Sequence, residues 1–279
     1  VLNIHPDEII FTSGGTESNK LVLDSFAGKK IIISNVEHSS IINRGEVVRV
    51  DENGIVDIED LKKKVTPDTA LVSIMYVNNE TGSIQPISEI VKCVKKINKN
   101  ILVHTDASQA ALLSFPATAD LVTLDGHKIY GPRGVGVLLV KRGSIKIERA
   151  GTENVPGIMG FALALEIAEK MRDKEFKRLS ELKQFFIKNL KNIKINGSVE
   201  TTSPHILNIS IRGVDSEFLV LKLDAKGIEC STKSACLRDE DESYVLRAMG
   251  ADSKSSIRFS FGRKTSKSDL KKVLKNTIL

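Results

Sequence analysis

The sequence predicts an α/β fold, with a mainly parallel sheet in a large domain of residues 1–172 and a smaller α+β domain in residues 173–279. Two observations carry this. Short apolar runs rich in β-branched residues recur through the first half, continuous rather than alternating, as strands buried on both faces require. Helix-period segments separate several of them, and strand alternating with helix implies parallel pairing under helical layers.

In chain order the strands are expected over 9–12, 31–34, 47–50, 70–75, 101–105, 121–124 and 135–140, with helices over 17–26, 58–65 and 87–97. The texture changes near Pro156. A long helical stretch, 159–190, sets Leu, Ile, Ala and Phe among Lys and Glu, and the boundary between the domains falls inside it. Strands over 206–211 and 257–261, helices over 216–225 and 242–249, and an amphipathic tail over 267–279 complete the smaller domain.

With 279 residues, 41 % hydrophobic and 27 % charged, the composition excludes disorder, collagen and coiled coil. The 41 Lys+Arg against 35 Asp+Glu leave only +6, and the lysines cluster at 62–64 and 92–99 in helix-like stretches that read as solvated faces. Without Trp and with 5 % aromatics, no base-stacking surface accompanies them, so no nucleic-acid partner is expected. Cys93, Cys230 and Cys236 are too irregularly spaced for a disulfide framework or a zinc site, so no metal is expected and a reducing cytoplasm fits best. No run approaches the roughly 18 apolar residues of a membrane span, so no membrane partner is expected either. The first residue is Val, not Met, and the chain is expected to begin downstream of its true start.

The chemistry concentrates at Asp125-Gly126-His127-Lys128-Ile129-Tyr130-Gly131-Pro132-Arg133-Gly134, between two predicted strands. A lysine there is expected to be desolvated, which lowers its pKa and lets the free amine condense with an aldehyde. Upstream, Asp106 ends a strand, with Gln109 three residues on; a carboxylate so placed can pair with a protonated pyridine nitrogen and keep pyridoxal phosphate an electron sink. The strand 9–12 runs into Ser13-Gly14-Gly15-Thr16, and glycines opening a helix expose N–H groups that bind phosphate.

In this order the segments resemble the cysteine desulfurases of the NifS/IscS family, class-V aminotransferase-like members of the fold-type I pyridoxal-phosphate enzymes. The likeness runs through FTSGGTESN (11–19), VEHSS (36–40), VNNETG (77–82), HTDASQA (104–110), GHKIYGPRGVG (126–136), AGTENVP (150–156), SAC (234–236), SYVLRAMG (243–250) and SIRFSFGR (256–263). It implies a PLP-dependent transferase fold of the aspartate aminotransferase type. Pyridoxal 5'-phosphate would be bound covalently by Lys128, with His38 against the ring, Asp106 on the ring nitrogen and Gln109 on the phenolic oxygen. Gly15, Thr16 and His127 would hold the phosphate, joined by Thr152 from the partner of a homodimer. Asn79 and Arg258 would grip the carboxylate of L-cysteine, the planar Arg258 fork taking both oxygens. Cys236, within the small domain's polar stretch 232–242, would be the nucleophile whose thiolate takes sulfur as a persulfide, leaving alanine. An iron–sulfur scaffold or another sulfur-acceptor protein would receive it.

The sequence departs from the family in several places. An N-terminal segment with a threonine-rich stretch is missing, the glycine-rich loop before Ala150-Gly151-Thr152 is replaced by a direct join, and the stretch between His38 and Val47 is short by roughly a helix. Such trimming would uncover the sheet, and implies that the segments are the ordered parts of a longer chain. Asp125 stands where the family typically has a phosphate-donating serine, and a carboxylate there would repel the phosphate. Two further readings stay open: a selenocysteine lyase-like enzyme of the same fold, and a non-catalytic platform for sulfur carriers.

Overall fold

The computed structural model describes residue 2, residues 4–234 and residues 242–277. The described residues within 1–49, 56–77 and 85–172 form one compact unit, and those within 50–55, 78–84 and 173–279 form a second.

The first unit is built on a seven-stranded sheet in the order β1-β7-β6-β5-β4-β2-β3. Its strands are β1 (Ile9–Thr12), β2 (Lys30–Ser34), β3 (Glu46–Val48), β4 (Thr69–Ser73), β5 (Leu102–Asp106), β6 (Leu121–Asp125) and β7 (Gly136–Val140). From β3 to β6 every pairing is parallel; β7 runs antiparallel to both β6 and β1. The sheet is therefore mainly parallel, as expected, and the carboxyl ends of β1, β2, β4, β5 and β6 share one edge.

Side chains two apart share a face of a strand. Ile31, Ile33, Leu71, Leu121, Leu138 and Val140 line one face and pack against Val22 and Leu23 of α1 (Gly15–Asp24) and Phe26 in the turn after it, all buried. Ile32, Val72, Val103 and Leu139 fill the other face and are equally buried, which is why the strand runs are continuous in sequence. Each such side chain contributes about 1.5–3 kcal/mol of burial. The same alternation sets His104 and Asp106 of β5, and Thr123 and Asp125 of β6, on the α1 side of the sheet.

The joint after His38 is closed by turn residues 39–44 rather than a helix. β3, an edge strand, is guarded by α2 (Ile58–Lys64): Lys64 Nζ donates to the Val47 carbonyl at 2.6 Å, and Asp60 accepts the Arg49 N–H at 2.9 Å. α3 (Ile87–Ile97) presents Ile87, Ile90 and Val94 to the interior. α4 (Val155–Asn189) supplies residues to both units.

The second unit carries the antiparallel sheet β10-β9-β8, from β8 (Ile193–Ile195), β9 (Ile206–Ile211) and β10 (Ser256–Ser260). Phe186 of α4, fully buried, meets Phe259 and Phe261 edge-on at 5.1 and 6.0 Å. α5 (Ser216–Asp224), α6 (Tyr244–Ala248) and α7 (Lys267–Asn276) start on Asp215, Ser243 and Ser266, each accepting a backbone N–H as N-cap. Among the described residues no helix is long and apolar enough to cross a membrane.

Candidate active site

Ligands of open α/β sheets sit beyond the carboxyl ends of the strands, and here that edge of the first unit gathers most of the predicted site residues. β1 turns at Gly14, whose φ of +152° suits glycine, into α1. A Cβ on Gly136 would stand 2.6 Å from Gly14 Cα, so the start of β7 and this turn approach backbone to backbone. Ser13, Gly14, Gly15, Thr16, Asp125, His127 and Arg133 line an open pocket of about 430 Å³ in front of the helix.

Asp106, the last residue of β5, is buried and accepts the Ser108 N–H at 2.9 Å and the Asn19 side-chain amide at 2.7 Å. The same amide reaches Ser40 Oγ at 3.0 Å, and Ser40 Oγ lies 2.9 Å from His38 Nδ1. A line of polar groups thus connects Asp106 to His38, which follows β2. Beside it Glu37 is fully buried, and its carboxylate accepts the Met75 N–H at 2.9 Å; burial pushes its pKa up to about 8. His104, also buried, sits between Ser73 Oγ at 2.8 Å and Thr123 Oγ1 at 3.0 Å; desolvation pulls it down to about 4 and keeps it neutral.

Lys128 rides a 3₁₀ turn, Gly126–Ile129, and is exposed, as is His127. The expected desolvation between two strands is not what the chain builds. β6 and β7 are hydrogen-bonded neighbours that leave no gap, and the turn carries Lys128 out past the sheet edge. The turn ends on Tyr130 with φ of +66°, an uncommon conformation for a residue with a Cβ. Asp125 faces inward: its Oδ2 accepts the Gly15 N–H at 2.8 Å, and its Oδ1 accepts the His127 N–H at 3.1 Å and lies 2.5 Å from His127 Nδ1. Gln109 is half-buried in the turns after β5, and Thr152 is exposed before α4.

In the second unit Asn79 and Arg258 are together: Arg258 Nη1 donates to the Asn79 carbonyl at 2.9 Å, and Arg258 Nε is buried without a partner. Glu80, 1 % exposed, accepts Ser243 Oγ at 2.6 Å and hydrogen bonds from Ser234, with the Arg258 charge nearby; burial still raises its pKa. Glu80 therefore holds residues on both sides of 235–241. Cys236 lies outside the described residues. Burial raises the Cys93 thiol, and pushes Cys230 up to about 11.

Asn19, Ser40, Glu37 and Glu80 were not singled out from sequence, although each lies in a motif quoted above. Asn19 shares the buried face of α1 with Val22 and Leu23, while Ser40 and Glu80 lie in turns that no periodicity marks.

The chain matches the Aminotransferase class-V family over residues 1–148 and 144–273. It belongs to that family. The two matches overlap at residues 144–148, just before Ala150-Gly151-Thr152. Among relatives of this class-V chain, the cysteine desulfurase IscS of Dictyoglomus turgidum is 40 % identical over 305 residues, spanning 95 % of this chain and 76 % of its own. The IscS of Clostridium botulinum is 36 % identical over 315 residues, spanning 98 % and 79 %. A solved NifS-like protein from Rickettsia africae superposes with a TM-score of 0.89 at 29 % identity, over 99 % of this chain and 83 % of that one.

Proposed function

We propose that this class-V chain is a pyridoxal-phosphate-dependent cysteine desulfurase, which removes sulfur from L-cysteine to give L-alanine and an enzyme persulfide. The reading is carried by 40 % identity to a cysteine desulfurase across 95 % of the chain.

The residues suit the cofactor at the ring and aldehyde. Lys128 offers an accessible amine, Asp106 a buried carboxylate for the ring nitrogen, His38 an imidazole tied to it through Ser40 and Asn19, and Gln109 an amide for the phenolic oxygen. At the phosphate end, Gly15, Thr16 and His127 are seconded by Thr152 of a partner copy. Once bound, the cofactor withdraws electrons from the substrate's α-carbon, so that its proton and then its sulfur can leave. Arg258, its Nε free, and Asn79 take the substrate carboxylate. Cys236 as thiolate takes the sulfur when the carbon–sulfur bond breaks; Cys93 and Cys230, with thiols held protonated by burial, are unsuited to that attack.

A homodimer is favoured by Val155, Met159, Leu163 and Ile167, exposed on successive turns of α4. The protein works in the cytoplasm and hands sulfur to an iron–sulfur scaffold or another acceptor. Asp125 favours the platform reading instead, since its carboxylate stands where phosphate belongs.

The test is to incubate purified protein, supplied with the cofactor, with L-cysteine. Alanine formation lost in Lys128→Ala and Cys236→Ser supports the desulfurase. Alanine released from L-selenocysteine but not from L-cysteine, and unaffected by Cys236→Ser, overturns it for the lyase. A protein that never gains Lys128-dependent visible absorption overturns it for the platform.

A further inference from the structure

Phosphate would be expected to meet the α1 N-terminus with its N–H groups free. Asp125 already occupies it. Its Oδ2 accepts the Gly15 N–H at 2.8 Å, where an anion is also favoured by the helix dipole. Its Oδ1 holds both the backbone N–H and Nδ1 of His127, at 3.1 and 2.5 Å, so the histidine meant for the phosphate is engaged too. The seat is tight: a Cβ on Gly15 would stand 2.8 Å from Ser108 Oγ and 3.3 Å from Asp125 Oδ2, and one on Gly14 3.2 Å from the same oxygen. Ser108 Oγ is buried and has no hydrogen-bond partner, a donor left beside the carboxylate.

We infer that Asp125 is an internal substitute for the cofactor phosphate, and that its carboxylate must leave Gly15 before a phosphate can bind there. The inference rests on the cofactor reading above and narrows it. Binding of the phosphorylated aldehyde works against a competing anion, whereas unphosphorylated pyridoxal, which needs only Lys128 and Asp106, does not. The chain therefore discriminates between the two forms less than it would with a hydroxyl or amide at 125.

The experiment titrates apo protein with pyridoxal phosphate and with pyridoxal, following visible absorption, in wild type, Asp125→Ser and Asp125→Asn. Both replacements can still accept the His127 N–H, so the 3₁₀ turn keeps its cap. The ratio of pyridoxal to pyridoxal-phosphate Kd is expected to rise at least about tenfold in both variants, the scale of one like-charge contact relieved. Inorganic phosphate should raise the apo Tm of Asp125→Ser and leave wild type unmoved. An unchanged ratio, or equal tightening of both aldehydes, overturns the inference and leaves the cofactor reading standing. Failure of both aldehydes to give Lys128-dependent absorption in every variant overturns the inference and the cofactor reading together.

Discussion

The Asn19 side-chain amide donates to the Asp106 carboxylate at 2.7 Å, joining the second turn of α1 to the end of β5. The amide also reaches Ser40, so one neutral group orients the acid and the loop that carries His38. Asn19→Ala should cost about 1–3 kcal/mol in urea unfolding, because buried acceptors lose their donor. Asn19→Asp should cost more, by setting two carboxylates together.

Glu37 makes stability depend on pH. The unfolded chain releases this proton near 4.5 and the folded one near 8, so between those values the folded state holds the extra proton. Stability should fall as pH rises through that window, with a slope approaching about 1.4 kcal/mol per pH unit. Glu37→Gln should flatten it, as measured by chemical denaturation from pH 5 to 8.

Lys183 acts in the opposite sense. It is buried in the second unit, donating to Thr202 Oγ1 at 2.8 Å and the Ser203 carbonyl at 3.1 Å, with desolvation lowering it to about 8 from 10.5. The unfolded chain then binds the additional proton between those values, and stability should rise with pH across them. Lys183→Met should abolish this rise in chemical denaturation extended from pH 8 to 10.5.

Glu80 anchors α6 through Ser243. Glu80→Ala should weaken that anchor by about 1–3 kcal/mol. Hydrogen exchange should show faster opening of Tyr244–Ala248 while β2 and β4 keep their protection; unchanged exchange at α6 would count against the anchor.

Much of the fold was legible because burial dictates pattern. β1, β9 and α3 fall on their expected residues, since both strands are rich in isoleucine and α3 carries a clear helical stripe. α4 starts four residues early because Pro156 is tolerated in a first helical turn. β8 went unseen, being three residues long with no run to announce it. The site was legible as residue types and illegible as partners: the Asn19–Asp106 contact spans 87 positions, and the seat of Asp125 on Gly15 spans 110. Repulsion at 125 could be foreseen, but the backbone donor that welcomes the carboxylate could not.

The rim strand β3 has a bearing on solubility. Unsatisfied strand borders invite foreign backbones to zip on, the first step toward fibres. Here the Val47 carbonyl is taken by Lys64, the Arg49 N–H by Asp60, and the strand stops after three residues with a glutamate at its head. Neutralising Lys64 and Asp60 together would strip this guard and leave a sticky margin, so crowding inside a cell would then favour clumping over a free, diffusing protein.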